Sequence, residues 1–330
     1  MTTTWIDLVA DARLAPSPHN TQPWLIRVVS DREAELRYDP ARLLRVTDPE
    51  GRFMLCALGI FVEALSIAAA ARGLELECDY PGGALRREAA AEPLARLALR
   101  DGIADAATIE LLRRRRTSRL PYDGKPVPDE ALATLAQLAA VWAHDAGFSS
   151  DPETVSWLVE LNCDTLFYDL DDDEARTEIG RWIRTSDRDA RRVADGFAPS
   201  ALGFPGPLVG LFFFRHGFFR PRPVRALVRR LYLRTMRGTA TVGWLRGPFR
   251  TPTDCFAAGR MLLRLWLELT RQGLVLHPFG SVITNERAHA RLAERLELAE
   301  HERELWLVLR LGRSDEPPPS SRLPVERLLA

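Results

Sequence analysis

Cysteine is scarce in this chain. Its four residues, Cys56, Cys78, Cys163 and Cys255, are far apart and none stands in a CxxC or CxxH pair, which argues against a zinc site and a disulfide scaffold alike. Net charge is absent too: 45 basic residues balance 45 acidic ones. No global field would therefore hold a polyanion by counterion release, and no nucleic-acid partner is expected. The apolar stretch Leu208–Phe219 is broken by Arg215 and His216 and falls short of the roughly 20 residues that cross a bilayer, so a membrane span is not expected. Residues 1–15 read as an amphipathic helix carrying Asp7, Asp11 and Arg13. They show none of the cationic start, apolar run and small-residue cleavage site of an export signal, and the expected location is the cytoplasm. GxSxG, HExxH, P-loop and GxGxxG patterns are missing, and the six histidines are scattered. That leaves little basis for a nucleophilic or metal-dependent hydrolase.

What remains is an ordinary globular composition, 46% hydrophobic and 27% charged over 330 residues, a length that suits two domains or one large one. Trp24–Ser30 and Ala34–Tyr38 read as a β-hairpin. Asp48–Gly73 opens with an Asp-Pro capping signal, is rich in alanine and leucine, and closes on glycine, the pattern of a long core helix. Leu94–Arg100 reads as a strand and Ala104–Arg116 as a helix stopped by Pro121. Helical periods then dominate at Asp129–Ala146, Pro152–Thr165 and Asp172–Thr185. Residues Ala198–Arg250, dense in Pro, Gly, Phe and Arg with one helix at Val224–Arg237, read as an insertion or lid. A second long helix, Thr253–Gly273, precedes Leu274–Gly280, a helix at Asn285–Leu296 and a strand at Glu304–Leu311. A long helix ending in Gly73 or Gly273 and followed by a Leu-rich run hints at internal duplication.

Four segments carry candidate chemistry. Ala15–Trp24 (APSPHNTQPW) packs prolines, hydroxyls and amides into one rigid turn; Ser17, Asn20 and Gln22 offer donors and acceptors to a planar heteroaromatic ring, although the same residues also serve in ordinary turns. Arg113–Tyr122 (RRRRTSRLPY) ends a helix in arginines. Arg113 and Arg114 there simply suit a helix C-terminus, whereas Arg115, Thr117 and Arg119 alternate along an extended stretch and can converge on a phosphate. In Leu274–Ser281 (LVLHPFGS) a glycine after a Pro-aromatic pair allows close backbone approach to a flat ligand. The tail Leu311–Leu323 adds one more cation, Arg322.

Together these segments resemble the nitroreductase-like flavoproteins, specifically the fused, Acg-type branch in which one chain joins two nitroreductase-like halves. Pro16, Ser17, Asn20, Gln22, Pro23 and Trp24 match a PSxxNxQPW pattern; Arg115, Arg116, Thr117 and Arg119 match an RRxSR-like one, with threonine replacing serine. The resemblance implies an α+β fold of two pseudo-symmetric halves, residues 1–112 and 113–330, each with a small, mostly antiparallel sheet and a long core helix, the second half bearing the insertion at about 198–250. It implies one FMN between the halves: phosphate and ribityl chain on Arg115, Thr117 and Arg119 with help from Arg322, the ring facing Ser17 and Asn20, and Pro278, Phe279 and Gly280 presenting backbone to the N5 edge, with Phe279 in place of the acidic residue often found in that turn. Neither pattern recurs in the other half, so one complete site per chain is expected. The implied activity is hydride transfer from NADH or NADPH through flavin N5 to a nitroaromatic, a quinone or a specialised metabolite, by a monomer or weak dimer.

Two other readings stay open. A lid over the flavin, with phenylalanines 212, 213, 214, 218 and 219, would give a flavin-sequestering protein without turnover. The arginines around Val224, Leu227, Val228 and Leu231 would alternatively form an amphipathic helix for a membrane surface or a partner.

Overall fold

The computed structural model describes residues 3–86, 88, 92–215, 217, 221–296 and 305–330. The first half runs α1 (Thr3–Ala12), β1 (Trp24–Val28), β2 (Glu33–Tyr38), α2 (Arg52–Ala70), β3 (Leu74–Asp79), β4 (Ala95–Asp101) and α3 (Ala107–Arg114). The second runs α4 (Asp129–Val141), β5 (Asp145–Ser149), six helices α5–α10, β6 (Thr241–Arg246), α11 (Pro252–Arg271), β7 (Val275–Pro278), α12 (Gly280–Thr284), α13 (Glu286–Arg295) and β8 (Leu305–Gly312). Each half builds a four-stranded antiparallel sheet, and the spatial orders β1-β2-β4-β3 and β5-β6-β8-β7 are the same. The α+β architecture of two like halves therefore stands as expected from the sequence.

The two long helices explain why the halves form one body. Both α2 and α11 are rich in small and apolar residues on their facing sides, and one continuous core includes Cys56, Phe61 and Leu65 together with Met261, Leu265 and Leu269. By length and hydropathy α2 qualifies as a membrane-crossing helix; here it is buried against α11 and the first sheet. At their crossing no side chain separates the backbones. A Cβ added at Gly59 would stand 2.0 Å from the carbonyl oxygen of Phe256, and one added at Gly259 would stand 2.0 Å from that of Cys56. Gly259 follows Gly59, and Phe256 follows Cys56, at the same sequence separation, so the contact is isologous about a pseudo-twofold axis.

The halves differ in what joins their first two strands. Residues 29–32 suffice between β1 and β2, whereas β5 and β6 are separated by residues 150–240, which hold α5 (Pro152–Asp171), α6 (Asp173–Arg181), α7 (Asp187–Val193), α8 (Pro199–Leu202), α9 (Gly206–Phe214) and α10 (Arg222–Thr235). The stretch 198–250, read from sequence as the insertion, thus covers only its later helices and also takes in β6, an inner strand of the second sheet. Helix α4 likewise ends at Val141 instead of running to Ala146, because Ala143 turns the chain with a positive φ of 58° into β5. The insertion is anchored to the first half. Glu178 of α6 accepts the backbone N–H groups of Val46 and Thr47 at 3.0 and 2.8 Å, and Asp195 pairs with Arg42 at 3.0 Å.

The tail closes the molecule by returning to the first sheet. Ile26 N donates to Leu328 O at 2.8 Å and Ala330 N to Ile26 O at 2.9 Å, so the chain end lies parallel along β1.

Replacing Gly259 by alanine should cost about 1–3 kcal/mol, because the clash is with backbone that cannot rotate away. Chemical denaturation reads this directly; an unchanged midpoint and slope would show that the crossing can open without penalty.

Candidate functional site

The turn before β1 is held under strain. His19, Asn20 and Gln22 all have positive φ, 49°, 55° and 51°, a conformation that costs non-glycine residues energy and persists only where surroundings impose it. The surroundings here are specific. Ser17 Oγ accepts Gln22 N at 2.9 Å; Asn20 Nδ2 donates to Gly196 O at 3.2 Å and Ser321 O at 3.0 Å, while Asn20 Oδ1 accepts from Arg322 Nη1 at 2.8 Å. Gln22 Nε2 donates to Ala194 O at 3.0 Å, and Gln22 Oε1 accepts from Leu323 N at 2.9 Å. First half, insertion and tail are clasped together at this one turn.

Beside the clasp lies a cavity of about 360 Å³, within the usual range for small-molecule sites. Its walls come from α2 (Cys56, Ala57, Ile60), α11 (Leu262, Trp266), the β7–α12 corner and the insertion, whose Phe197, Phe204, Phe212 and Phe213 make that wall largely apolar. Of the residues expected at a ligand, Pro16, Ser17, Thr117, Arg119, Pro278, Phe279 and Gly280 line the cavity. Asn20, Gln22, Arg115, Arg116 and Arg322 are not among its lining residues. The amides of Asn20 and Gln22, expected beside a ring, are engaged in the clasp, because left-handed backbone needs those bonds to hold it. At the 278–280 turn, Phe279 is buried and its N–H donates to Val308 O at 2.7 Å. Proline has no N–H, so Gly280 is the one residue of the three that can present a backbone donor; a Cβ there would meet nothing within 4 Å. Phe218 and Phe219, which were candidates for a lid, and Arg220 lie outside the described residues.

Arg119 is half-buried at the cavity wall and stacks on Phe197 with its Cζ 4.7 Å from the ring centroid. Among the described residues it makes no hydrogen bond or ion pair. Burial lowers its pKa to about 10, still cationic at neutral pH. A second cationic group lies behind Trp266. Arg115 stacks on that indole at 4.5 Å, and Arg115 Nη2 and Arg322 Nη2 both donate to Leu14 O, at 3.4 and 3.2 Å. Arg116 contributes its carbonyl to Trp266 Nε1 at 3.2 Å. Four guanidinium nitrogens here are buried without a partner: Arg115 Nε and Nη1, Arg116 Nε and Arg322 Nε. Burial, and then the neighbouring Arg322 and Arg116, pull the Arg115 pKa well down, and burial lowers that of Arg322 to about 10. Unpaired buried cations are costly unless an anion completes them.

Several contributors were not singled out from sequence. Arg310 is fully buried in β8 and bonded to Thr235 O at 3.2 Å, Thr239 Oγ1 at 3.1 Å and Leu120 O at 3.0 Å, with its Cζ 4.2 Å from the Tyr122 ring centroid, so it fixes the segment that carries Arg119. A lone arginine in LWLVLRLG was the available signal. His277 lines the cavity with its Nδ1 unpartnered, and burial, then Arg119 and Arg310, keep it neutral. Asn162 Nδ2 donates to Tyr232 Oη at 2.7 Å across the cavity wall. Asp48, read from sequence only as a capping signal, does cap α2 by accepting Met54 N at 2.9 Å and also lines the cavity.

Two titrating groups at the cavity act in opposite directions. Burial raises Asp48 from 3.8 to about 6, so its contribution to stability falls as pH rises through that interval. Burial lowers His19 from 6.5 to about 4, so its contribution falls as pH drops through that interval. They offset between pH 4 and 6. The Asp48→Asn variant, which keeps an oxygen for the Met54 N–H, should gain roughly 3 kcal/mol on the parent between pH 4 and 7. Denaturation profiles that stay parallel across that range would remove Asp48 from the account.

No family model matches the chain. It is 28% identical over 303 residues to a probable NAD(P)H nitroreductase, PigM, of Serratia sp. (strain ATCC 39006), covering 87% of this chain and 82% of that one. It is 35% identical over 130 residues to a putative NAD(P)H nitroreductase of Mycobacterium tuberculosis, covering 38% of this chain and 36% of that one. Among solved structures, the FMN- and NADPH-dependent nitroreductase NfnB of Sphigopyxis sp. strain HMH aligns with a TM-score of 0.41 at 18% identity, covering 68% of this chain and 98% of that one. Over most of its length, then, this chain is nitroreductase-like in sequence.

Proposed function

We propose that the protein is an FMN-dependent oxidoreductase that takes hydride from NADH or NADPH and passes it to an electron-poor small molecule. The observation that carries this reading is the group of buried, unpartnered guanidinium nitrogens on Arg115, Arg116 and Arg322 beside a cavity walled by both halves. Such donors suit a phosphate dianion, which each would bind by a short, charge-assisted bond. The names of the Serratia and mycobacterial relatives point to the same class of reaction.

When bound, FMN supplies reversible hydride exchange at N5. The protein's own residues do the rest. Arg119, cationic and without an acid partner, stabilises negative charge inside the cavity. His277 stays neutral there and offers no competing positive charge. Ser17 keeps its hydroxyl proton while its oxygen accepts Gln22 N, so it can donate to a heteroaromatic acceptor. The phenylalanines of the insertion exclude water. A second reading, flavin held under a lid without turnover, is favoured by Phe212 and Phe213 lining the cavity. Anaerobic NADH or NADPH distinguishes the two, since only the oxidoreductase bleaches its flavin.

The visible absorption of the purified protein, repeated after adding FMN and desalting, should show retained oxidised flavin; a colourless protein that keeps none of the added FMN ends the flavin reading. Arg115→Met preserves the contact with Trp266 while removing the cation. It should lower FMN affinity by about 1.5–3 kcal/mol, roughly ten- to hundredfold, yet leave the flavin-free protein at least as stable as the parent. Equal affinity in the two proteins would exclude Arg115 from the phosphate site.

A further inference from the structure

The insertion contributes more to the cavity than apolar cover. Asn162 of α5 and Tyr232 of α10 meet at 2.7 Å, and both line the cavity. In this pair the Tyr232 oxygen accepts from the amide, so the hydroxyl proton is not used there and is free to donate into the cavity. Burial raises the Tyr232 pKa to about 12, which keeps the hydroxyl protonated. Tyr232 also packs on the cluster that contains Phe279, next to the turn where Gly280 can offer its backbone. The surrounding wall from the insertion is largely aromatic or aliphatic, with Phe204, Phe212, Phe213 and Leu231, and its other polar lining residues are Asp169 and Thr235.

We propose that the Asn162–Tyr232 pair is the acceptor-recognition element of the site, selecting an uncharged, planar aromatic oxidant through an oxygen on its ring, a quinone carbonyl being the simplest case. Apolar walls favour a flat, uncharged ring, and one buried donor discriminates strongly for a molecule that can accept its bond. The reaction balances as NAD(P)H plus a proton plus quinone giving NAD(P)⁺ and hydroquinone, the quinone gaining two electrons and two protons. The proposal rests on the flavin reading above for its electrons, but not for the recognition itself.

Tyr232→Phe deletes only the hydroxyl. With 1,4-naphthoquinone as acceptor, kcat/KM should fall roughly tenfold, on the scale of one lost hydrogen bond. Flavin content, the anaerobic rate of reduction by NAD(P)H, and turnover with ferricyanide, which takes electrons without entering an apolar cavity, should stay at parental values. Naphthoquinone turnover equal to the parent's, with flavin retained, would overturn the proposal, and so would an equal fall with ferricyanide. Should the protein hold no flavin, naphthoquinone quenching of the cavity tryptophans Trp266 and Trp306 is the readout: binding weakened in Tyr232→Phe supports the recognition element, and binding unchanged rejects it.

Discussion

Everything at the site depends on how closely α2 and α11 cross. With glycine at 59 and 259, each helix lies against the other's backbone, and the side chains on either side of that point, Cys56, Ala57 and Ile60 from one helix and Leu262 and Trp266 from the other, become a single wall. Packed interiors do not deform continuously, so a helix pushed outwards there would carry its sheet with it and split that wall. The pseudo-twofold axis places the contact where both halves are constrained alike. What departs from symmetry does so further out, in the helical insertion and in the strained turn at 19–22.

The treatment of buried arginine separates scaffold from site. Arg310 is as deeply buried as any, and it is surrounded by carbonyl oxygens and the face of Tyr122. Asp195 and Glu63 likewise neutralise buried or half-buried guanidinium groups, the latter meeting Arg260 at 2.7 Å. A single buried nitrogen, Nε, also lacks a partner on Arg310 and on Arg184, but Arg115, Arg116 and Arg322 bring four such nitrogens together. Four such donors gathered at one place, with no carboxylate paired to them among the described residues, are better explained by a ligand than by tolerance.

Much of this was legible in the sequence because the decisive signals were local. The long helices, the first hairpin, and the two polar segments at 16–24 and 115–119 have their own composition and punctuation. The inner strand β6 was not legible, and the reason is physical. Gly147 faces Trp244 and Phe148 faces Gly243 across the β5–β6 pair, so each glycine is roofed by an aromatic ring from the other strand; read singly, glycine argues against a strand. The roles of Asn20 and Gln22 were hidden for a similar reason, since their partners Gly196, Ser321 and Leu323 lie far away in the chain. Asn162 and Tyr232, one on a helix of mixed character and the other in a basic stretch, acquire meaning only when α5 and α10 pack together.

The tail has a consequence for how the molecule is made. Residues 321–330 satisfy the amides of Asn20 and Gln22, bring Arg322 beside Arg115, and pair with the outer edge of β1. Their hydrogen-bonding partners Leu14, Asn20, Gln22 and Ile26 leave the ribosome some 300 residues earlier, and Arg115 about 200 earlier. Until the tail arrives, the first sheet has an open edge and the turn at 19–22 lacks bonds that hold its left-handed backbone. Assembly of the cation cluster therefore waits until residues 321–330 have been made, and a nascent chain that has folded both sheets without them lacks Arg322 at the site.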